Sequence, residues 1–275
     1  MLPLNLPIAA WLEEDLGPGD VTTDSTVDPK AKGIGRVRAK SDLILSGLDL
    51  LQPVFYALGP HTITLLAKDG DRVAPGTVVA EVSGSFATLL KGERLALNLL
   101  MRLSGVATLT AEAVKAIGTK TKVLDTRKTT PGLRWLEKRA VRHGGGTNHR
   151  YHLGDGVLIK DNHIAAAGGA AEAIARAKAH AHHLLKIECE IQALDQIDGA
   201  IAAGADVLLL DNMDDATLKA AVEKVAGRVK TEASGNMSLE RLARIKDLGL
   251  DFVSMGALTH SAIAADLSMK IELLK

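Results

Sequence analysis

From Lys120 onward the chain keeps a regular beat of short apolar runs separated by helical patterns. Strand-like runs recur at Lys122–Leu124, Gly156–Ile159, Leu184–Cys189, Val207–Leu210, Val229–Thr231 and Phe252–Ser254. Between most of them the apolar spacing predicts helices, notably over Ala170–His183, Leu194–Ala203, Ala216–Val225 and Leu239–Leu248. Strands alternating with helices of this length imply parallel βα units, as a barrel or an open sheet. In a barrel the carboxyl ends of all the strands open on one face, where such enzymes keep their chemistry.

The strand ends are where the polar residues gather. In order they carry Asp125 with Arg127, Lys128 and Thr129; Lys160 with Asp161; Glu190; Asp211 with Asn212; Glu232 with Ser234, Gly235 and Asn236; and Met255, Gly256 and Ala257. Several acids and bases placed directly after runs of Val, Ile or Leu point to a strand-end active site. Arg127, Lys128, His149, Arg150 and Lys160 form a cationic group suited to carboxylate and phosphate oxygens. Glu190 and Asp211 are hard oxygen donors, suited to a Mg²⁺ that keeps several waters or to ribose hydroxyls. The turns Ser234-Gly235-Asn236 and Gly256-Ala257 each precede a helix and offer backbone N–H groups to phosphate. The expected substrate is therefore anionic, phosphorylated and metal-bound. Lys160 by itself would equally suit a Schiff-base aldolase, but so many cations around it fit polyanion binding better.

The first hundred residues follow a different pattern. A helix is expected from Leu6 to Leu16, stopped by Gly17-Pro18-Gly19, then a polar turn over Asp20–Thr26 and a strand over Gly33–Ala39. A helix over Gly47–Leu58 precedes a hairpin of Thr62–Lys68 with Val78–Val82. That hairpin is similar to lipoyl and biotinyl carrier modules, but no lysine sits at a tight turn as theirs does. Leu89–Leu103 is apolar around most of its circumference, which marks a buried helix. Arg94 lies inside it, either with its head reaching water or aimed at a dedicated anion.

Composition removes other classes. Lys plus Arg equals Asp plus Glu at 33 each, so a nucleic-acid or anionic-membrane surface is not the main partner. Aromatic residues make up only 3%, so the core must be aliphatic. The single cysteine, Cys189, excludes an internal disulfide and fits a reducing compartment. Its acidic neighbours Glu188 and Glu190 should raise its pKa, and period-two alternation puts those two glutamates on one face. No apolar run is long enough to span a membrane, and the N-terminal stretch carries acids where a signal peptide carries bases; a cytoplasmic protein is expected. His180, His182 and His183 at a helix end are expected to be surface residues.

The stretches DTRKTTPGLRWLEKRAVRHGGGTNHR, VLIKDNHI, GERLALNLLMRLSGVAT, LLLDNM, SGNMS and SMGALTHS resemble the quinolinate phosphoribosyltransferase family. The resemblance runs from EDLGPGDVTTDST to the C-terminus, with Thr147 standing where the family often has histidine. It implies an N-terminal α/β sandwich, residues 1–104 joined by the tail 266–275, and an open α/β barrel of about seven strands over 105–265. One strand beyond the six above is then still to be found. It also implies transfer of phosphoribosyl from phosphoribosyl pyrophosphate to quinolinate, giving nicotinate mononucleotide, pyrophosphate and CO₂ with Mg²⁺, without a covalent cofactor or protein nucleophile. By resemblance, Arg94, Arg127, His149, Arg150 and Lys160 grip quinolinate and line the adjoining site, and Lys128 and Lys160 face the pyrophosphate. Glu190 and Asp211 serve ribose and metal, Ser234, Gly235, Asn236, Gly256 and Ala257 form the phosphate turns, and Thr129 and Met255 are further substrate-binding positions. Lys128, Lys160, Glu190 and Asp211 would be the catalytic set. A head-to-tail homodimer with a shared site is implied, with Arg94 serving the partner; assembly to a hexamer stays open.

Overall fold

The computed structural model describes residues 6–274. In chain order the elements are α1 (Ile8–Leu16), α2 (Val21–Thr26), β1 (Lys32–Ala39), β2 (Leu43–Ile44), a 3-10 turn (Leu48–Leu50), α3 (Leu51–Tyr56), β3 (His61–Leu65), β4 (Arg72–Val73), β5 (Val78–Ser85) and α4 (Phe86–Ile117). There follow β6 (Lys122–Leu124), α5 (Arg134–His143), β7 (Val157–Ile159), α6 (Asp161–Ala167), α7 (Ala170–His180), β8 (Ile187–Ile191), α8 (Gln196–Ala203) and β9 (Val207–Asp211). The chain closes with α9 (Asp215–Val225), β10 (Lys230–Ser234), α10 (Leu239–Ile245), β11 (Phe252–Ser254), α11 (Ala257–His260) and β12 (Leu267–Leu273).

Contacts divide the chain into two units. One comprises the described residues up to Leu109, Trp135–Gly145 and the described residues from Ala262. Its sheet is antiparallel in the order β12-β1-β5-β3, so the tail strand β12 lies beside β1. The hairpin expected in this half exists as β3 with β5, and the loop between them holds β4, which pairs with β2. The core is aliphatic apart from Phe55: Leu43, Leu45, Leu50, Leu51, Leu89, Leu100 and Leu103 are all fully buried. Two local expectations change. Asp20–Thr26 is a short helix, because Asp20 accepts the Thr23 N–H at 3.0 Å and caps it. Gly47, at φ +103°, turns the chain so that the helix starts only at Leu51.

The other unit, Thr110–Arg134 with Gly146–Ser261, is the barrel. Its six strands run β6-β11-β10-β9-β8-β7, all parallel. The sheet does not close, since β6 and β7 do not pair with each other. The sheet has six strands among the described residues where about seven were expected; beside β6 an isolated parallel bridge joins Thr147 to Leu124, made by Thr147 N–H to Val123 O at 2.8 Å and Asp125 N–H to Thr147 O at 3.3 Å. Thr147 thus acts through its backbone. Helices α5 and α6 were not read from the sequence; the segment of α5 from Trp135 belongs to the first unit.

Three strands differ from their expected limits for one reason. β8 runs to Ile191, β9 to Asp211 and β10 to Ser234, so Glu190, Asp211, Glu232 and Ser234 lie within strands rather than after them. A barrel interior that turns polar toward its carboxyl end lets the strand continue through its first charges. At the other end, β8 starts only at Ile187, whose N–H is held by Asp206 Oδ2 at 2.9 Å, and Leu184 is exposed.

Candidate active site

Alternation along the barrel strands decides which side chains look inward. Ile187, Cys189 and Ile191 of β8, Leu208 and Leu210 of β9, and Thr231 and Ala233 of β10 are buried on the outer face. The residues between them, Glu188 with Glu190, Leu209 with Asp211, and Glu232 with Ser234, therefore face the interior. Register sets Glu190 beside Leu209 and Leu209 beside Glu232, with Asp211 beside Ser234 one layer higher. The polar interior is thus built in rows at the carboxyl ends of β8, β9 and β10.

Above these rows lies a cavity of about 420 Å³, within the range of small-molecule sites. Arg127, Lys128, His149, Arg150, Lys160 and Ser234 line it, together with Glu232. Thr129, Glu190, Asp211, Gly235, Asn236, Met255, Gly256 and Ala257 belong to the same unit without lining this cavity, and Arg94 is an exposed residue of α4 in the other unit. Thr126, Leu158, His163, Leu209 and Ser254 also line it and were missed from the sequence. For Leu158, Leu209 and Ser254 the signal was available, since each shares the inward phase of its strand.

The loops are held by side chains that do not face the cavity. Asp125, fully buried, accepts from Asn148 Nδ2 at 2.5 Å and from the His149 N–H at 2.9 Å. It therefore ties the His149–Arg150 turn to the end of β6. Arg134 donates to Thr129 Oγ1, Tyr151 O and Arg127 O at 2.9, 3.1 and 3.4 Å, fastening two loops together. The Lys128 carbonyl accepts from the Thr259 hydroxyl at 2.8 Å. A Cβ on Gly256 would stand 2.9 Å from Lys128 Cδ, so the lysine stem passes close over this glycine.

The β9 and β10 turns interlock. The Asn212 N–H donates to Ser234 O at 3.0 Å, and a Cβ on Gly235 would lie 2.1 Å from Asn212 Oδ1. Gly235 also has φ +94°, which disfavours any other residue. Arg241 donates to the carbonyls of Gly235, at 2.7 Å, and Met213, and to Asp215 at 3.0 Å, locking both turns.

Electrostatics separate the cations from the acids. Burial and then the nearby Arg127 charge lower the pKa of Arg150, outweighing the opposite pull of Glu188 and Asp155. Among the described residues its guanidinium donates to Gly156 O, at 3.0 Å. Below, Glu232 is pushed up to about 8, first by burial and then by Glu188. His149 Nε2 lies 3.2 Å from Glu188 Oε2 and 3.8 Å from Glu232 Oε2. Cys189 is buried, with burial and both acidic neighbours raising its thiol to about 11. His180, His182 and His183 are exposed.

An open parallel barrel with clustered cations over buried acids at its strand ends defines an enzyme for small polyanions. Residues 20–104 and 106–270 match the N-terminal and C-terminal domains of quinolinate phosphoribosyl transferase, respectively, and the chain belongs to that family. It is 46% identical over 262 residues to the probable carboxylating nicotinate-nucleotide pyrophosphorylase of Bacillus subtilis, covering 94% of this chain and 90% of the relative. The carboxylating nicotinate-nucleotide pyrophosphorylase of Mycobacterium leprae is 39% identical over 269 residues, with 94% of each covered. The crystal structure of NadC from Streptococcus pyogenes superposes with a TM-score of 0.95 at 41% identity over the full length of both chains.

Proposed function

We propose that this protein transfers phosphoribosyl from phosphoribosyl pyrophosphate to quinolinate with loss of CO₂, giving nicotinate mononucleotide and pyrophosphate in de novo NAD biosynthesis. One observation carries the reading: in a chain of this family, Arg127, Lys128, Arg150 and Lys160 converge on one cavity. Two carboxylates and a pyrophosphate are the anions such a group suits.

The pyridine nitrogen attacks the anomeric carbon of the ribose as pyrophosphate leaves. Lys128 and Lys160 stabilise the departing charge, and Arg127 and Arg150 orient quinolinate so that its nitrogen meets the sugar. Alkylation turns the ring into a pyridinium, whose positive nitrogen stabilises the electron pair left on the adjacent carbon when its carboxylate departs as CO₂, and a proton from water then takes the vacated position. No nucleophile from the protein is required. Ser234, Gly235, Asn236 and the Met255–Ala257 turn hold the sugar phosphate, with Thr129 beside the pyrophosphate.

Glu190 and Asp211 fit Mg²⁺ as hard oxygen donors on the neighbouring strands β8 and β9, on one inward phase. Each accepts one hydrogen bond from a neighbouring amide, from Gln192 at 2.9 Å and Asn212 at 2.6 Å, leaving further oxygen lone pairs. Bound there, the ion supplies charge neutralisation at the leaving pyrophosphate and the ribose hydroxyls. We further read the protein as a cytoplasmic homodimer in which Arg94, exposed on α4, serves the partner's site; no helix among the described residues is long and apolar enough to cross a membrane.

The reaction is tested with purified protein, quinolinate, phosphoribosyl pyrophosphate and Mg²⁺, following nicotinate mononucleotide and CO₂. Product from quinolinate and none from nicotinate is expected. Absence of product from folded protein that binds the sugar donor would overturn the reading.

A further inference from the structure

Beneath the cavity, three elements bring their polar groups to one point: His149 from the loop after β6, Glu188 from β8 and Glu232 from β10, with ligand atoms all within 4.8 Å of one another. Nothing in the reaction above uses Glu188 or Glu232. Both are buried, at 8% and 3% exposure. Such a trio could hold a metal or could hold the imidazole, and the hydrogen bonds on the other side of the ring decide between them.

The Arg150 backbone N–H donates to His149 Nδ1 at 2.7 Å. An N–H can only donate, so Nδ1 must present a lone pair, and the ring hydrogen sits on Nε2. There it points at Glu188 Oε2, 3.2 Å away. A metal-bound histidine does the reverse: its free nitrogen carries the hydrogen and donates it to an acceptor. A metal on Nε2 would force that hydrogen onto Nδ1, against the Arg150 N–H. The Asp125 carboxylate fixes the backbone of the same residue through the His149 N–H, and Glu232 Oε2 stands 3.8 Å from Nε2 beside Glu188.

We infer that Glu188 and Glu232 are positioning residues, which hold His149 as a neutral imidazole with its hydrogen on Nε2. This deepens the proposed function and rests on it for the identity of the substrate. With both nitrogens engaged inside the protein, His149 gives quinolinate a fixed ring surface, and the charge that grips the carboxylates comes from Arg127, Lys128, Arg150 and Lys160.

The test is nitrogen-detected NMR of the full-length protein labelled with ¹⁵N-histidine, without substrate, with His149 assigned through a His149→Gln variant. The expected signature is one protonated nitrogen, Nε2, and one unprotonated nitrogen, Nδ1, unchanged when Zn²⁺ is added. Two protonated nitrogens, a hydrogen on Nδ1, or loss of the Nε2 hydrogen with Zn²⁺ would each overturn the inference. Glu188→Gln, which keeps an oxygen acceptor, should retain the signature. Glu188→Leu should lose it and raise KM for quinolinate roughly tenfold with a smaller change in kcat; an unchanged signature and KM in folded Glu188→Leu would contradict the assignment. The NMR reads His149 whatever the substrate, so failure of the turnover assay would not be confused with failure here.

Discussion

The first unit and the barrel cavity treat their cations differently. In the first unit Arg36 pairs with Glu81 and Glu272, Arg102 with Glu137, and Arg139 bidentately with Asp49 at 2.5 and 2.7 Å. In the barrel cavity Arg127, Lys128, Arg150 and Lys160 form no ion pair among the described residues, and Arg127 and Arg150 repel each other. Matched charge holds a fold together, whereas unmatched charge in a concavity costs stability unless a ligand of opposite sign arrives. The contrast marks the second set as functional.

Substitutions should break the contrast in opposite directions. Lys160→Ala should lower kcat/KM roughly 10²–10³-fold, since it removes charge stabilisation at the leaving group, while leaving the melting temperature within error. Arg150→Met should raise KM for quinolinate roughly 10–100-fold, and because burial and Arg127 oppose its charge, calorimetry should find the variant as stable as the parent or more so. Arg139→Met should do the reverse. It leaves the partly exposed Asp49 unpaired and removes a cation stacked 5.1 Å from the Trp135 ring, for about 1–2 kcal/mol of lost stability, with steady-state KM unchanged.

A smaller effect concerns pH. Glu232 is raised from 4.5 to about 8 in the folded protein, so between those values the folded state binds a proton the unfolded state has released. Its contribution to stability is full below about 4.5 and lost as the pH rises through about 8. Glu232→Gln should flatten that decline in thermal melts taken across the window; an unchanged slope would count against the raised value. The smallest effect is chemical: Cys189, buried with its thiol near 11, should stay unalkylated by iodoacetamide at neutral pH until the protein is unfolded.

Much of this was legible in the amino-acid sequence, for identifiable reasons. Apolar runs located all six barrel strands because both faces of a parallel sheet are covered. Strand ends were misplaced where interior acids interrupt the apolar pattern, at Glu190, Glu232 and Asp211, since a charge inside a strand looks like its end. Arg127, Lys128, Arg150 and Lys160 were found because cations following apolar runs stand out. Asp125 was legible only as a polar strand end, because only the fold reveals that it holds Asn148 and the His149 backbone. Glu188 and Glu232 were visible as acids but not as a pair, since the register that brings β8 and β10 to one histidine is a tertiary property. The seventh strand implied by the resemblance has no counterpart among the described strands, and only an isolated bridge at Thr147 extends the pairing beyond β6.

The most direct test of the unmatched-cation account is calorimetric titration of quinolinate and of nicotinate into the same protein. The account predicts that the second carboxylate tightens binding at least roughly tenfold, the contribution of one charge-assisted hydrogen-bonded pair, and that Arg150→Met abolishes this preference. Equal affinity for the two ligands would contradict it, because the cations would then be doing nothing that a single carboxylate does not satisfy.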